Sequence, residues 1–341
     1  MDLEMSAAGL MKRSKMTPGK GLRVCLTGVV FLAVALLFGV VSARAGAPTT
    51  DLTKGAARRI AVTGDWLTVG GGGVWTSWGP ALVRLDPRTG RRVTRVTVSE
   101  GPCEATVFAS GYVWTATCQK PGLARVDVKT NRVAGWVLLA VPSSIGGEGS
   151  IGAGAGSIWI VTDGDACAAC TLARVDAASL AVIATVPLDA GSAGVRFGLG
   201  AVWVTNPENS TVTKVDPSSN AVVAKAPVTG GPRFFAVGQG GVWTLNQADG
   251  SVTRIDPATG AVRARIRARV VGEGGDMTTG AGWVWARGSG YLLSRIDPKT
   301  NRVVERYGPS LGSGAVIVGY GAVWISAHDD GSIFRLPLSR I

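Results

Sequence analysis

The stretch Pro232–Ile266, which contains Gly240-Gly241-Val242-Trp243, is one copy of a unit that the chain repeats. The motif Gly-x-[Val/Ile]-Trp occurs seven times, with its tryptophans at Trp75, Trp114, Trp159, Trp203, Trp243, Trp285 and Trp324. Adjacent copies are 39 to 45 residues apart. A fixed period near forty residues indicates one supersecondary unit that is repeated along the chain.

Within Pro232–Ile266 the residues predict four short strands. A glycine turn joins an apolar run to the β-forming strand that contains Trp243. Ser251–Ile255 alternates as a third strand, and Asp256-Pro257-Ala258-Thr259-Gly260 is a typical turn sequence that leads into Ala261–Ile266. Four antiparallel strands at this spacing are typical of a propeller blade. The sequence therefore predicts an all-β fold, a seven-bladed β-propeller with four antiparallel strands in each blade.

The seventh unit lacks a fourth strand before the chain reaches Ile341. Ala57–Val62 precedes the first blade and is similar in pattern to the fourth strands of the other units. We therefore expect this N-terminal strand to complete the last blade and close the ring, which removes an open sheet edge. The propeller domain is expected over residues 57–341, after a polar linker at 48–56.

Residues 1–47 have the pattern of an export signal. Basic residues precede an apolar run at 24–41, and the small residues Ser42–Ala47 follow it. This pattern predicts a signal peptide cut after Ala45 or Ala47, or an uncleaved anchor that inserts into the membrane. Either outcome places the propeller outside the cytoplasm, secreted or tethered to the membrane.

The formal net charge of +12 is partly periodic, because a basic residue stands two positions before each turn aspartate. These residues are Arg84, Arg125, Arg174, Lys214, Arg254 and Arg295, with Arg335 at the matching place in the last unit. They could form a basic ring for nucleic acid, or pair with acids and carbonyls near the turns. The second interpretation is favoured because no aromatic stacking platforms alternate with the basic residues, so no nucleic-acid partner is expected.

Four of the five cysteines fall on adjacent predicted blades. Counting outward from the Ser110-Gly111 turn places Cys103 opposite Cys118, and Cys167 and Cys170 form a C-x-x-C pair. Two disulfides are expected in an exported protein. A four-cysteine zinc site and a redox C-x-x-C are the alternatives.

The loops between strands 2 and 3, and those between successive blades, share one face, which we call the top face. Because these loops are irregular, they are the candidate binding surface. The candidate ligand-binding residues are Trp78, Glu104, Asp163, Arg233, Asn246, Arg287 and His328, with Asp65 and Asp276 also expected at the channel mouth. Their mixed charges predict no metal site and no cofactor. His328, followed by Asp329 and Asp330, is the one candidate catalytic base.

The unit Val242-Trp243-Thr244-Leu245-Asn246, continued by Gly250–Gly260, resembles bacterial YVTN-type propellers of the surface-layer class. It is also similar to the seven-bladed virginiamycin B (streptogramin) lyase family, over about residues 57–341. The lyase resemblance implies a top-face site in which histidines, a glutamate and bound magnesium open a cyclic depsipeptide by elimination. The chain contains one histidine, His328, so it cannot supply a histidine pair.

We therefore expect a monomeric, exported binding or interaction module for a small molecule, a peptide or an envelope protein, rather than an enzyme. The alternative is a divergent lyase-like enzyme that opens a cyclic ester, and only that alternative calls for Mg²⁺ or Ca²⁺. A quinone-type redox propeller is disfavoured because no helical or cytochrome region accompanies the repeat.

Overall fold

The computed structural model describes residues 46–139, 148–162, 170–270 and 274–341. In these residues seven sheets follow one another along the chain, one for each repeat; each has four antiparallel strands, and the sixth carries a fifth strand at its edge. The first strand of each sheet contacts the first strand of the next, and the seventh contacts the first. The predicted seven-bladed β-propeller is thus confirmed, with the first strands around a central channel and the fourth strands at the rim.

The strands are given from the first to the fourth within each blade. They are Leu67–Gly70, Gly73–Trp78, Ala81–Leu85 and Arg92–Thr97 in blade 1; Pro102–Ala109, Tyr112–Thr117, Gly122–Asp127 and Arg132–Leu138 in blade 2; Ile151–Gly154, Ser157–Thr162, Thr171–Asp176 and Val182–Pro187 in blade 3; Val195–Gly198, Ala201–Asn206, Thr211–Asp216 and Ala221–Pro227 in blade 4; Pro232–Gly238, Gly241–Asn246, Ser251–Ile255 and Val262–Ile266 in blade 5; Gly275–Gly280, Trp283–Gly288, Leu293–Asp297 and Arg302–Gly308 in blade 6; and Val316–Gly319, Ala322–Ala327 and Ser332–Pro337 in blade 7. Short 3-10 turns lie at Leu52–Lys54, His328–Asp330 and Leu338–Arg340.

Blade 7 receives its fourth strand from the N-terminal side of the chain. Arg58–Ile60 runs antiparallel to Ser332–Pro337, with Ile60 opposite Ile333. The predicted closure by residues 57–62 is therefore confirmed.

The segment 48–56, which was expected to be a linker, is instead partly a strand. Thr49–Asp51 pairs in parallel with Arg302–Gly308 and makes blade 6 five-stranded. The rim strand of blade 6 offers unpaired backbone groups that a polar segment can satisfy. The buried Leu52 then holds the segment against blade 6.

The repeated tryptophans are structural. All seven are buried, and each indole N–H donates a hydrogen bond to the backbone carbonyl five residues earlier. In blade 5, for example, Trp243 Nε1 donates to Gly238 O at 2.9 Å. The repeated spacing of the motif thus gives the indole nitrogen, which is the one polar atom of each buried tryptophan, a hydrogen-bond acceptor.

The periodic basic residues join each blade to the next. Six of the seven donate to a backbone carbonyl in the strand 3–4 turn of the following blade, and these six are Arg84, Arg125, Arg174, Lys214, Arg254 and Arg335. Arg254 donates to Pro298 O at 2.7 Å and lies 4.7 Å from the centre of the Trp243 ring. Arg295 instead pairs with Glu305 at 2.9 Å, because the unit that follows it lacks the turn aspartate. The predicted pairing with carbonyls and acids is confirmed.

In the part of the chain that the structure describes, no helix is long and apolar enough to cross a membrane. Residues 1–45 of the expected signal peptide or anchor lie outside the described residues.

Candidate functional site

His328 is held between two carboxylates where blade 7 meets blade 1. It begins the turn His328–Asp330, and its backbone N–H donates to Ser313 O at 3.2 Å. The imidazole Nε2 lies 2.8 Å from Asp329 Oδ1, and Nδ1 lies 3.5 Å from Asp65 Oδ1. Burial raises the pKa of the Asp65 carboxyl, and the nearby His328 and Arg287 oppose that increase. The contact with Asp329 therefore orients the imidazole ring, while Nδ1 makes no hydrogen bond to any described residue.

Trp78 lines a top-face pocket next to His328. Its ring centre lies 6.4 Å from that of His328, and 45% of the residue is exposed. The pocket has a volume of about 340 Å³ and is lined by Asp65, Ser77, Trp78, Gly79 and Pro102. An exposed indole face next to a mostly buried carboxylate can contact both the apolar and the polar parts of a ligand.

Arg287 lies beneath this pocket and is fully buried. Its Nε donates to Ser326 O at 3.1 Å, and Nη1 donates to Gly288 O. The Ser326 hydroxyl in turn donates to Asp65 O at 2.5 Å. Burial lowers the pKa of Arg287 to about 10, while the carboxylates of Asp65, Asp329 and Asp276 partly restore it. Arg287 therefore supports the site through backbone carbonyls of blades 6 and 7.

A second polar cluster crosses the central channel. Arg196 of blade 4 forms an ion pair with Asp276 of blade 6 at 3.1 Å and lies 5.3 Å from the centre of the Trp66 ring. Asp276 also accepts the Val316 N–H at 3.0 Å. Burial raises the pKa of Asp276 to about 6, because the lost hydration outweighs the attraction of Arg196 and the hydrogen bonds. The channel cavity around this pair has a volume of about 250 Å³.

The remaining candidate residues are dispersed. Asn246 is fully buried, and its amide donates to Ser251 and Thr253 at 2.9 and 2.8 Å. Arg233 lies in the first strand of blade 5, half-buried, with its guanidinium 5.7 Å from the Phe234 ring centre. Glu104 belongs to the first strand of blade 2. Asp163 lies outside the described residues. The structure thus brings together Trp78 and His328 above Arg287, but not Arg233 or Asn246.

Cys103 and Cys118 form the predicted disulfide, with their Cα atoms 5.4 Å apart. Cys170 is also disulfide-bonded, and Cys167, the partner expected for it, lies outside the described residues. Since the first pair is consumed in a covalent bond, the four-cysteine zinc alternative does not fit the structure.

The described residues do not fit the magnesium site that the lyase resemblance implies. In the described ranges, no group of three or more His, Cys, Asp or Glu side chains is placed to hold a metal ion. Asp329 already contacts His328 and accepts the Ser313 N–H at 3.0 Å. Magnesium prefers an octahedral set of oxygen ligands, which this arrangement does not provide.

The chain is similar to known proteins in its fold. No family model matches the chain, and no curated protein matches it. Virginiamycin B lyase from Staphylococcus aureus is similar in structure, with a TM-score of 0.66, 16% identity and coverage of 82% of this chain and 98% of that chain. BamB from Moraxella catarrhalis (TM-score 0.56, 11% identity, 79% and 81% coverage) and the Pan2 WD40 domain of Neurospora crassa (TM-score 0.63, 9% identity, 81% and 89% coverage) are also similar.

These likenesses establish the class of protein, a seven-bladed β-propeller, and the resemblance to the virginiamycin B lyase family is confirmed in fold. At such low identity they carry no information on activity.

Two residues of the site were not among the sequence candidates. Arg196 is a charged residue at an inward strand position, where the other blades carry small, hydroxyl or apolar residues such as Gly152, Thr278 and Ile317. Ser326 stands two positions after Trp324, where its hydroxyl reaches the next blade. Comparing the seven units position by position would have revealed Arg196, because it breaks the repeat.

Proposed function

We propose that the chain is an exported propeller that binds a small polar ligand or peptide end in the top-face pocket of blades 1 and 2, next to the blade 7 turn that carries His328. The sequence of residues 1–47 and the disulfide between Cys103 and Cys118 support export, since disulfides persist in oxidising compartments. The strands of the repeat provide a rigid support, and the irregular loops above them provide the contacts.

The observation that carries the proposal is that the exposed Trp78 ring lines the same pocket as Asp65, with the His328 ring centre 6.4 Å away. A ligand that bears an ammonium or guanidinium group could contact the exposed indole and the mostly buried Asp65 carboxylate at the same time. Such a group could lie over the indole face and pair with the carboxylate. The favoured ligand class is therefore a small molecule or peptide that carries an amine or guanidinium.

The single histidine allows a direct test. The ring protons of His328 can be followed by NMR without assigning the rest of the chain, while a panel of lysine-, arginine- and choline-containing compounds is titrated. Binding in the pocket should shift these signals in the unmodified protein and not in Trp78→Ala. Leu199→Ala is a matched control, because it removes an exposed apolar side chain elsewhere in the ring. If the panel shifts the histidine signals equally in the Trp78→Ala variant, the pocket is not the binding site.

A lyase-like enzyme is the second candidate, and it rests on His328 between Asp65 and Asp329. A fixed imidazole of this kind could remove a proton from a bound cyclic ester as a general base. Incubation with cyclic depsipeptides, followed by mass spectrometry, tests this directly. Turnover that disappears in His328→Ala would replace the binding proposal with the enzymatic one.

A further inference from the structure

Blade 5 carries a row of arginines that the repeat does not explain. The segment after Val262 alternates arginine with small or apolar residues, and its arginines are Arg263, Arg265, Arg267 and Arg269. All four are exposed, while Ile266, Ala268 and Val270 between them are buried. Arg263 and Arg265 lie in the strand Val262–Ile266 and Arg267 and Arg269 follow it, so the row of exposed arginines continues past the end of the strand.

Three of these arginines share one cavity. It has a volume of about 520 Å³ and is lined by Asp249, Ser251, Arg265, Arg267 and Arg269. Arg265 is neutralised by Asp249 at 2.5 Å. Throughout the described ranges, neither Arg267 nor Arg269 has a carboxylate within ion-pair distance. Among the described residues, the cavity therefore holds more positive charge than Asp249 can balance.

A further arginine stands behind the cavity. Arg306 is mostly buried, donates to Ala268 O at 3.2 Å and lies 5.2 Å from the Tyr291 ring centre. Its Nε has no hydrogen-bond partner. Burial, and then the positive charge of Arg269, lower the pKa of Arg306. An anion bound between the guanidinium groups of Arg269 and Arg306 would offset their mutual repulsion.

We propose that this cavity, with Arg267 and Arg269 at its centre, binds the phosphate groups of an anionic ligand. The guanidinium fork matches the geometry of phosphate oxygens and donates two parallel hydrogen bonds to them. The volume and the number of guanidinium groups suit a ligand with more than one phosphate better than a single carboxylate. The site is separate from the Trp78 pocket and extends the proposed function to a second ligand class.

The test is isothermal titration calorimetry of inorganic tripolyphosphate into the full-length protein at low salt. The variant R267Q/R269Q should bind at least about tenfold more weakly, because each charge-assisted hydrogen bond contributes strongly to affinity. The control R263Q/R92Q removes the same net charge from the rim strands of blades 5 and 1, outside the cavity, and should change affinity by less than about twofold. Arg263 is a suitable control since Asp256 already pairs with it at 2.6 Å.

The proposal is overturned if the unmodified protein shows no binding at millimolar tripolyphosphate, or if the control loses as much affinity as R267Q/R269Q. Equal thermal unfolding curves for the variants show that the fold is intact. Sedimentation with phosphatidylglycerol and phosphatidylcholine vesicles identifies the source of the phosphate. Selective binding to phosphatidylglycerol that is lost in R267Q/R269Q indicates a lipid headgroup, and tripolyphosphate binding without vesicle binding indicates a soluble phosphate. Trp78→Ala should bind tripolyphosphate normally, so this test does not depend on the top-face pocket.

Discussion

The burial of the Asp276 carboxyl beside Arg196 makes the stability of the propeller depend on pH. The Asp276 carboxyl has an ordinary pKa of 3.8, which applies to the unfolded chain, whereas burial raises the pKa to about 6 in the folded protein. The folded state therefore binds the proton more tightly. The stabilisation is fully present below the unfolded pKa and is lost as the pH rises through the folded pKa. A difference of about two pKa units corresponds to about 3 kcal/mol.

Denaturant unfolding of the unmodified protein and of Asp276→Asn, measured at several values between about pH 4 and pH 7.5, isolates this effect. Subtracting the two free energies of unfolding removes the contributions of the turn aspartates, which both proteins share. As the pH rises, the free energy of unfolding of the unmodified protein should fall by about 3 kcal/mol relative to that of Asp276→Asn. A flat or opposite trend would mean that Arg196 outweighs desolvation, and would refute the reasoning. Lys225→Met, which breaks an exposed ion pair with Asp189, should change stability by less than about 1 kcal/mol at every pH.

Three further predictions concern the scaffold. Replacing both Cys103 and Cys118 by Ser should lower the free energy of unfolding in urea by about 3 kcal/mol, since the bond closes a loop with a sequence separation of 15; reductant should destabilise the unmodified protein by at least as much, because it also breaks the disulfide of Cys170. Trp243→Ala should cost about 3 to 5 kcal/mol by leaving a cavity between blades, which calorimetry can measure. Gly250→Ala should lower the melting temperature more than Gly240→Ala. Both positions have a left-handed φ, but an added Cβ at 250 would lie 2.9 Å from the Val270 backbone.

The blades and the closure of the ring could be predicted from sequence because they depend on local, repeated patterns. Trp243 has a counterpart in every unit and the turn Asp256–Gly260 has one in five of the other six units, so one copy corrects the interpretation of another. The strand at Arg58–Ile60 could be found because the seventh unit lacks a partner strand. By contrast, the strand Thr49–Asp51 is too short and polar to show alternation, and its parallel pairing with blade 6 depends on where the closed ring places it.

The candidate site was only partly predictable, for a different physical reason. Topology assigns loops to the top face but does not determine which side chains are exposed. Arg287 and Asn246 were expected in the loops between strands 2 and 3, whereas both lie in second strands and are fully buried, because their polar groups satisfy carbonyls and hydroxyls inside the protein. The pair of Arg196 and Asp276 joins residues 80 positions apart across the channel. This contact depends on the width of the closed ring and on the length of the arginine side chain. Local sequence patterns give no information on the width of the ring.

The top-face pocket lies at the seam where the ring closes, and this position follows from the order of the chain. After the closing strand Arg58–Ile60, the chain passes directly into blade 1 and carries Asp65 to the channel mouth. Arg59 of that strand pairs with Asp330 at 2.8 Å, in the same turn that presents His328. The closing strand, the connection and the turn are therefore linked by polar contacts to one another as well as by the sheet. A ligand that bridges Trp78 and His328 would bind across this seam, so its binding energy would also stabilise the closed ring.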